Sequence, residues 1–237
     1  MRKLIILFII IISFSACTKR DKRKVVDDPK SVSEIKKEDK TVDIAHLPLH
    51  IDSTNFLIHP IGNYKIEKSR SKYYSEDGVG YSSLDNYSSN NYNGYKIVGD
   101  LSNVKFQHIN SKKLNPITNQ VIKIQSMSFL YRIFNDHKIE IYVYDVIDKD
   151  TNKDGKLTYE DLKSIYISKH DGSDFKRISP QQQEVSQWKE MTTNKRLYFK
   201  SIEDADNNGE FDKKDKTHYF YLDLSIPNSK VVEYYPI

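Results

Sequence analysis

The chain of 237 residues contains one cysteine, Cys17, so it cannot form an intramolecular disulfide. Exported domains often rely on disulfides for stability, because they work in an oxidising compartment. If this chain is exported, it therefore needs another source of stability. A bound metal ion is one such source, since a ligand that binds only the folded state stabilises that state.

The sequence also lacks a hydrophobic run of the roughly 20 residues that a membrane-spanning helix needs. A shorter apolar segment, Leu4–Ala16, follows the basic residues Arg2 and Lys3. A basic start followed by an apolar segment of this length is typical of a secretory signal peptide. We therefore predict that residues 1–16 are a signal peptide that directs export.

The residues Phe14-Ser15-Ala16 precede Cys17, and small residues before a lone cysteine resemble a bacterial lipoprotein signal. The resemblance implies lipidation of Cys17, cleavage before it and anchoring in a membrane of the cell envelope, since several acyl chains anchor firmly. Thr18 is not the aspartate that retains some lipoproteins at the inner membrane, which favours the outer membrane. An ordinary secretory signal and an uncleaved anchor are the alternatives.

Residues 41–237 lack the positive charge that nucleic-acid binding needs. Of the formal net charge of +4, Arg2 and Lys3 contribute two units and Thr18–Lys40 contributes three, which leaves −1 for the remainder. Nucleic acid is therefore not expected as a partner.

The charged composition of residues 17–45 predicts a disordered linker after the lipidated cysteine. Residues 46–237 are then expected to form one β-rich domain. Within it, the Ser-, Asn- and Tyr-rich segment 68–95 is predicted to be a long mobile loop. A tyrosine-lined recognition surface is the alternative for that segment.

No catalytic motif is recognised in the sequence. It contains no G-x-S-x-G, H-E-x-x-H, phosphate-loop or dinucleotide-binding pattern, so we assign no catalytic residue. His46 and His50 have the spacing of a helical zinc pair, but Pro48 between them disfavours a helix.

A twelve-residue segment, Asp150–Asp161, reads DTNKDGKLTYED and carries oxygen atoms at the spacing of a calcium loop. Ca²⁺ takes six to eight oxygen ligands, and Gly155 at the sixth position permits the sharp turn under the ion. The predicted ligands are Asp150, Asn152, Asp154, Lys156 through its backbone carbonyl, Thr158 and Asp161. The alternative is a polar turn that binds no metal.

The same pattern recurs 54 positions later in Asp204–Asp215, DADNNGEFDKKD, which indicates an internal repeat. The predicted ligands of this second loop are Asp204, Asp206, Asn208, Glu210, Asp212 and Asp215. Both loops resemble EF-hand loops, and more closely the dockerin type, which closes with an aspartate. The resemblance implies Ca²⁺ as the cofactor, and Asp161 in place of the usual bidentate glutamate implies weaker binding.

Alternating apolar residues predict β-strands on both sides of each loop, where a full EF-hand has helices. In Lys138–Val146, Ile139, Ile141 and Val143 occupy one face and Glu140, Tyr142 and Tyr144 the other. Further strands are predicted at Phe56–His59, which Pro60 and Gly62 would end, at Met127–Phe134, at Arg196–Lys200 and at Tyr219–Leu222.

These patterns predict a mainly β fold of antiparallel hairpins, with at most short helical turns after the calcium loops. The segment Ile165–Ser179, IYISKHDGSDFKRIS, resembles the repeat of TolB-type β-propellers. The resemblance implies an incomplete or irregular β-propeller. A twisted β-sandwich is the alternative.

Taken together, the sequence predicts an exported, lipid-anchored, calcium-binding protein of the cell envelope. Calcium would be structural, and the domain would act as a binding or scaffold module for a protein or glycan partner that the sequence does not name. The alternative is an envelope enzyme of the glycan-hydrolase kind with calcium-stabilised loops, which would show two buried carboxylates away from those loops. A purely structural lipoprotein is a further alternative.

Overall fold

A computed structural model describes residues 24–26, 41–68, 79–81, 87–90 and 95–237. The predicted signal peptide, the lipidation site Cys17 and most of the predicted linker lie outside these residues. The same is true of residues 69–78, 82–86 and 91–94 in the predicted mobile loop.

The described residues form fifteen strands, one α-helix and one short 3₁₀ turn, so the prediction of a mainly β fold is confirmed. The helix, α1, covers Tyr131–His137, and the 3₁₀ turn covers Thr192–Asn194. The strands are β1 (Thr41–Ala45), β2 (Leu49–His50), β3 (Phe56–Lys68), β4 (Val79–Tyr81), β5 (Tyr87–Asn90), β6 (Lys96–His108), β7 (Asn115–Pro116), β8 (Lys123–Phe129), β9 (Ile141–Ile147), β10 (Lys163–Lys169), β11 (Lys176–Arg177), β12 (Gln183–Met191), β13 (Arg196–Glu203), β14 (Lys216–Asp223) and β15 (Val232–Tyr234).

Two open antiparallel sheets contain these strands. The larger sheet runs in the order β1-β3-β6-β8-β9-β10-β11, with β2 and β4 paired to β3 and with β5 and β7 paired to β6. The smaller sheet is a four-stranded meander, β12-β13-β14-β15. Neighbours in both sheets are mostly consecutive along the chain, as expected for hairpin connections.

Strand β9 separates two hydrophobic cores, because its two faces contribute to different clusters. Tyr142 and Tyr144 belong to the first core, which lies on one face of the larger sheet. Val143 belongs to the second core, where β9 and β10 pack against the smaller sheet through Val185, Leu197 and Phe199. The predicted division of this segment into two faces is confirmed, and both faces are buried.

The helix α1 departs from the prediction of a β-rich run over Met127–Phe134, because the strand β8 ends at Phe129. Tertiary packing decides the conformation here. Tyr131 stacks on Tyr95 with ring centroids 3.8 Å apart, and Phe134 is buried in the first core. Lys138 ends the helix in the left-handed conformation, with φ 58°.

Strand β3 continues through Pro60, although proline was expected to end it. Pro60 lies opposite the gap between β1 and β2, since Ile61 pairs with Ala45 and Ile58 pairs with Leu49. Pro60 pairs with Val104 of β6 on its other side, and its carbonyl accepts a hydrogen bond from the N–H of His46 at 2.9 Å.

Described secondary structure precedes the predicted domain boundary at residue 46. Thr41–Ala45 form β1 and pair along β3, so the last five residues of the predicted linker belong to the larger sheet. Lys24–Val26 also contact the domain, as described below. In the predicted mobile loop 68–95, the described strands β4 and β5 pair with β3 and β6.

Candidate functional site

The segment Asp150–Asp161, here called loop 1, connects β9 to β10 as the two strands of a hairpin. Asp204–Asp215, here called loop 2, connects β13 to β14 in the same way. The prediction that both loops join β-strands rather than helices is therefore confirmed. No helix follows either loop among the described residues.

Asp161 closes loop 1 and organises its backbone. Its side chain is 1% exposed, and its Oδ1 accepts the Thr151 N–H at 2.7 Å and the Asn152 N–H at 3.3 Å. Its Oδ2 accepts the Thr158 N–H at 2.8 Å. These bonds hold the beginning and the end of the loop together.

Asp150 organises the turn at the centre of loop 1. Its two carboxylate oxygens accept the N–H groups of Asp154, at 3.1 Å, and Gly155, at 2.7 Å. The side chain of Asn152 accepts the Asp154 N–H at 3.0 Å, and Asp154 accepts the Lys156 N–H at 2.8 Å.

Loop 2 repeats these bonds at the same positions. Asp204 accepts the N–H groups of Asn208, at 3.1 Å, and Gly209, at 2.7 Å. Asp206 accepts the Asn208 N–H at 3.3 Å. Asp215 accepts the Ala205 N–H at 3.1 Å and also the N–H of Asp212.

The backbone of the two loops also matches. The fourth position has positive φ in both, 61° at Lys153 and 53° at Asn207, and the glycine at the sixth position has φ of 83° at Gly155 and 78° at Gly209. Two segments with different residues at nine of twelve positions thus adopt the same local conformation. The sequence repeat is therefore also a structural repeat.

The predicted ligands converge most clearly in loop 2. Carboxylate oxygens of Asp204, Asp206 and Asp215 lie within 4.8 Å of one another. This spacing and the all-oxygen donor set fit a hard cation such as Ca²⁺. Asp212 instead accepts the Lys214 N–H at 2.7 Å, and Asn208 accepts the Glu210 N–H at 2.6 Å. The third position is Asp206 in loop 2 but the amide Asn152 in loop 1. Loop 1 therefore carries less negative charge at that position.

The pKa of Asp161 in loop 1 is raised above its ordinary value. Burial raises the pKa of Asp161, and the nearby charge of Asp150 raises it further, while the N–H groups that it accepts lower it. A cation at the centre of the loop would stabilise the ionised form of both carboxylates.

A hydrogen bond connects loop 1 to β6. The hydroxyl of Tyr159, in the tenth position, donates to Asp100, and the Lys123 ammonium binds the same carboxylate at 3.1 Å. Burial and the bond to Asp100 raise the pKa of Tyr159 to about 12, so this hydroxyl stays a donor. The sequence gives no signal for this contact, because Asp100 lies 59 positions away.

Sequence reasoning also missed the contact between the loops and the segment Lys24–Val26, here called the strap. The Lys24 N–H donates to the Gly209 carbonyl at 2.6 Å, and the Val26 N–H donates to the Thr151 carbonyl at 3.0 Å. The Lys24 ammonium binds Glu184 of β12 at 3.1 Å. The strap therefore contacts both loops.

His46 and His50 have different hydrogen-bond partners. His46 Nε2 lies 2.6 Å from the Tyr64 hydroxyl, whereas His50 Nε2 lies 2.9 Å from the Thr54 carbonyl.

Among the buried polar residues of the described ranges, Asp161 is the one with a carboxylate, and it belongs to loop 1.

Within the described part of the chain, no helix has both the length and the apolar character needed to cross a membrane.

No family model, curated protein or solved structure matches the chain.

Proposed function

We propose that this chain is an exported, lipid-anchored protein of the cell envelope whose two loops bind Ca²⁺ as structural ions. The domain that they stabilise acts as a binding or scaffold module. One observation carries the proposal: loop 1 and loop 2 share their ligand spacing, their backbone hydrogen bonds and their two positive-φ positions.

The shared bonds matter because they pre-orient oxygen ligands. In each loop, aspartates at the first and twelfth positions accept backbone N–H groups and have lone pairs left for a cation. A bound Ca²⁺ would neutralise this charge and hold the two strands of each hairpin in register. The backbone carbonyls of Lys156 and Glu210 occupy the seventh position, where calcium loops supply a carbonyl ligand.

The finer fold is part of the proposal. The four-stranded meander β12-β13-β14-β15 has the strand order of one propeller blade, which supports an incomplete or irregular β-propeller. The packing of β9 and β10 against the face of that meander supports the alternative, a twisted sandwich.

The membrane anchor rests on the signal-like residues 1–16 and on Cys17, which lie outside the described residues. Intact-mass analysis of the protein from a native membrane fraction tests it. The expected mass corresponds to a chain that starts at Cys17 and carries acyl groups, and an unmodified Cys17 would overturn the anchor.

Thermal unfolding of the full chain, solubilised from the membrane fraction in detergent, tests the calcium sites when it is measured in EDTA and in millimolar Ca²⁺. A ligand at a hundred times its dissociation constant adds about 2.7 kcal/mol of stability, which raises the Tm of a domain of this size by about 5–10 °C. The double variant Asp150→Ala, Asp204→Ala should lose this rise.

The matched control is the double variant Glu160→Gln, Glu210→Gln. It removes two carboxylates from the same loops but no predicted side-chain ligand, so its Tm should rise with Ca²⁺ as in the unaltered protein. If Ca²⁺ leaves the Tm of the unaltered protein unchanged, the calcium proposal fails. An equal loss in both double variants would mean that only the general negative charge of the loops matters.

A further inference from the structure

The strap crosses from loop 2 to loop 1. Its first residue, Lys24, donates its N–H to Gly209 in the sixth position of loop 2, and Val26 donates to Thr151 in the second position of loop 1. All three strap residues are half-buried. Each of the two repeated loops thus supplies one backbone acceptor to a segment more than a hundred positions earlier in the chain.

The peptide groups that accept the strap are the ones that the predicted calcium ligands orient. The Thr151 carbonyl and the Asn152 N–H belong to one peptide group, and that N–H donates to Asp161 at 3.3 Å. The Gly209 carbonyl shares its peptide group with the Glu210 N–H, which donates to Asn208 at 2.6 Å. A change in the position of either ligand would therefore turn an acceptor of the strap.

An ion pair adds to these backbone bonds. Glu184 binds the Lys24 ammonium with Oε1 at 3.1 Å and accepts the Lys163 N–H with Oε2 at 2.8 Å. Lys163 begins β10 two positions after the end of loop 1, so Glu184 links the strap to the strand that follows that loop. The two side chains of the pair are 29% and 16% exposed, which reduces screening by water.

The strap and loop 1 also line one open cavity. Val25 and Val26 line a cavity of about 360 Å³ together with Asp150, Thr151 and Leu162. The strap therefore forms one wall of this cavity and loop 1 forms part of another. The two backbone hydrogen bonds of the strap depend on the conformation of the loops, because both acceptors are loop carbonyls.

We propose that Ca²⁺ binding in the two loops and docking of the strap are energetically coupled, so that calcium controls whether Lys24–Val26 is bound to the domain. The proposal rests on the calcium sites proposed above. Coupling between two binding events is reciprocal. Calcium should therefore strengthen strap docking, and the docked strap should strengthen calcium binding by the same factor.

Hydrogen exchange of the full chain in detergent tests the coupling at single-amide resolution. In saturating Ca²⁺, the amides of Lys24 and Val26 should exchange about tenfold more slowly than in EDTA, a coupling of ordinary size. The amides of Gly155 and Gly209, which donate to Asp150 and Asp204, report calcium binding in the loops themselves.

The reciprocal measurement is calorimetric titration of Ca²⁺ into two variants of one residue. Val26→Pro removes the N–H that Thr151 accepts, whereas Val26→Ala keeps that N–H and shortens the side chain. Val26→Pro should weaken calcium binding about fivefold to tenfold and Val26→Ala less than about twofold. Lys24→Gln, which removes the ion pair with Glu184, is a second variant that leaves the backbone intact.

The outcomes separate the two proposals. If the loop amides respond to Ca²⁺ but those of Lys24 and Val26 do not, the coupling is overturned and the calcium sites stand. If neither set of amides responds, the calcium sites fail and the coupling fails with them. Equal calcium affinity in Val26→Pro, Lys24→Gln and the unaltered chain would also overturn the coupling.

Discussion

At the scale of single residues, Glu190 on β12 bears a charge in an unfavourable place. Its Oε2 is buried and has no hydrogen-bond partner among the described residues. Burial raises the pKa of Glu190, and the attraction of Arg132 opposes this only in part. The folded state therefore favours the protonated form of this side chain more than the unfolded state does.

The raised pKa predicts a pH-dependent effect of Glu190→Gln. A carboxyl group whose pKa rises on folding contributes stability below its unfolded pKa and loses it as the pH rises through the folded value. At pH 7 the variant should therefore be more stable, by about 0.5 kcal/mol after allowance for solvent screening. Below the ordinary glutamate pKa of about 4.3 the difference should vanish.

Urea unfolding at neutral and acidic pH measures this difference. Glu160→Gln is the control, since it makes the same chemical change at an exposed position. A Glu190 variant that is less stable than the unaltered protein at pH 7 would contradict the prediction, because the charge would then be stabilising.

At the scale of elements, two glycines have the same backbone conformation but different free space around them. Gly155 in loop 1 has φ 83°, and Gly172 in the turn between β10 and β11 has φ 81°. A Cβ at Gly155 would meet nothing within 4 Å, whereas a Cβ at Gly172 would lie 2.5 Å from the Phe106 ring. Phe106 is fully buried in the first core.

The comparison predicts different costs for the same substitution. Gly155→Ala should destabilise the calcium-free protein by about 1 kcal/mol, the cost of positive φ alone. Gly172→Ala should cost about 2–4 kcal/mol, since overpacking against Phe106 adds to the strain. Urea unfolding in EDTA measures both values.

A second substitution identifies the source of the larger cost. In the Gly172→Ala background, Phe106→Leu should destabilise less than it does alone, because the smaller side chain relieves the overlap. Equal costs for the two alanine variants would show that the turn can move away from Phe106.

At the scale of the whole molecule, the single tryptophan reports on the contact between the sheets. Trp188 lies on β12 in the smaller sheet, and its indole N–H donates to Asp145 of β9 in the larger sheet at 3.2 Å. The second core extends across the same boundary. The two sheets should therefore unfold together.

This cooperativity predicts that tryptophan fluorescence and far-ultraviolet circular dichroism follow one transition in urea, with the same midpoint. Leu197→Ala, in the second core, should move both signals equally and cost about 2–5 kcal/mol. A fluorescence change that precedes the loss of β-structure would show instead that the smaller sheet separates first.

The features predicted from the sequence are those with a short-range signature. The repeated loop conformation could be predicted because each set of predicted ligands lies within twelve residues, and the flanking strands could be predicted because apolar residues alternate. The helix α1 was missed because Tyr131 and Phe134 favour β-structure locally and become helical through contacts with distant residues. The strap was missed because it docks through backbone N–H groups, which have no sequence pattern, onto carbonyls far along the chain.

Docking of the strap also shortens the segment of chain that connects the domain to its proposed lipid anchor at Cys17. Lys24 lies seven positions after Cys17, so a docked strap leaves a span of at most about 25 Å between lipid and domain. With the strap released, the first described contact with a sheet is made by Thr41 in β1, 24 positions after Cys17, and a fully extended chain between them spans about 80 Å. Calcium would thereby set the height above the membrane at which the domain meets a partner.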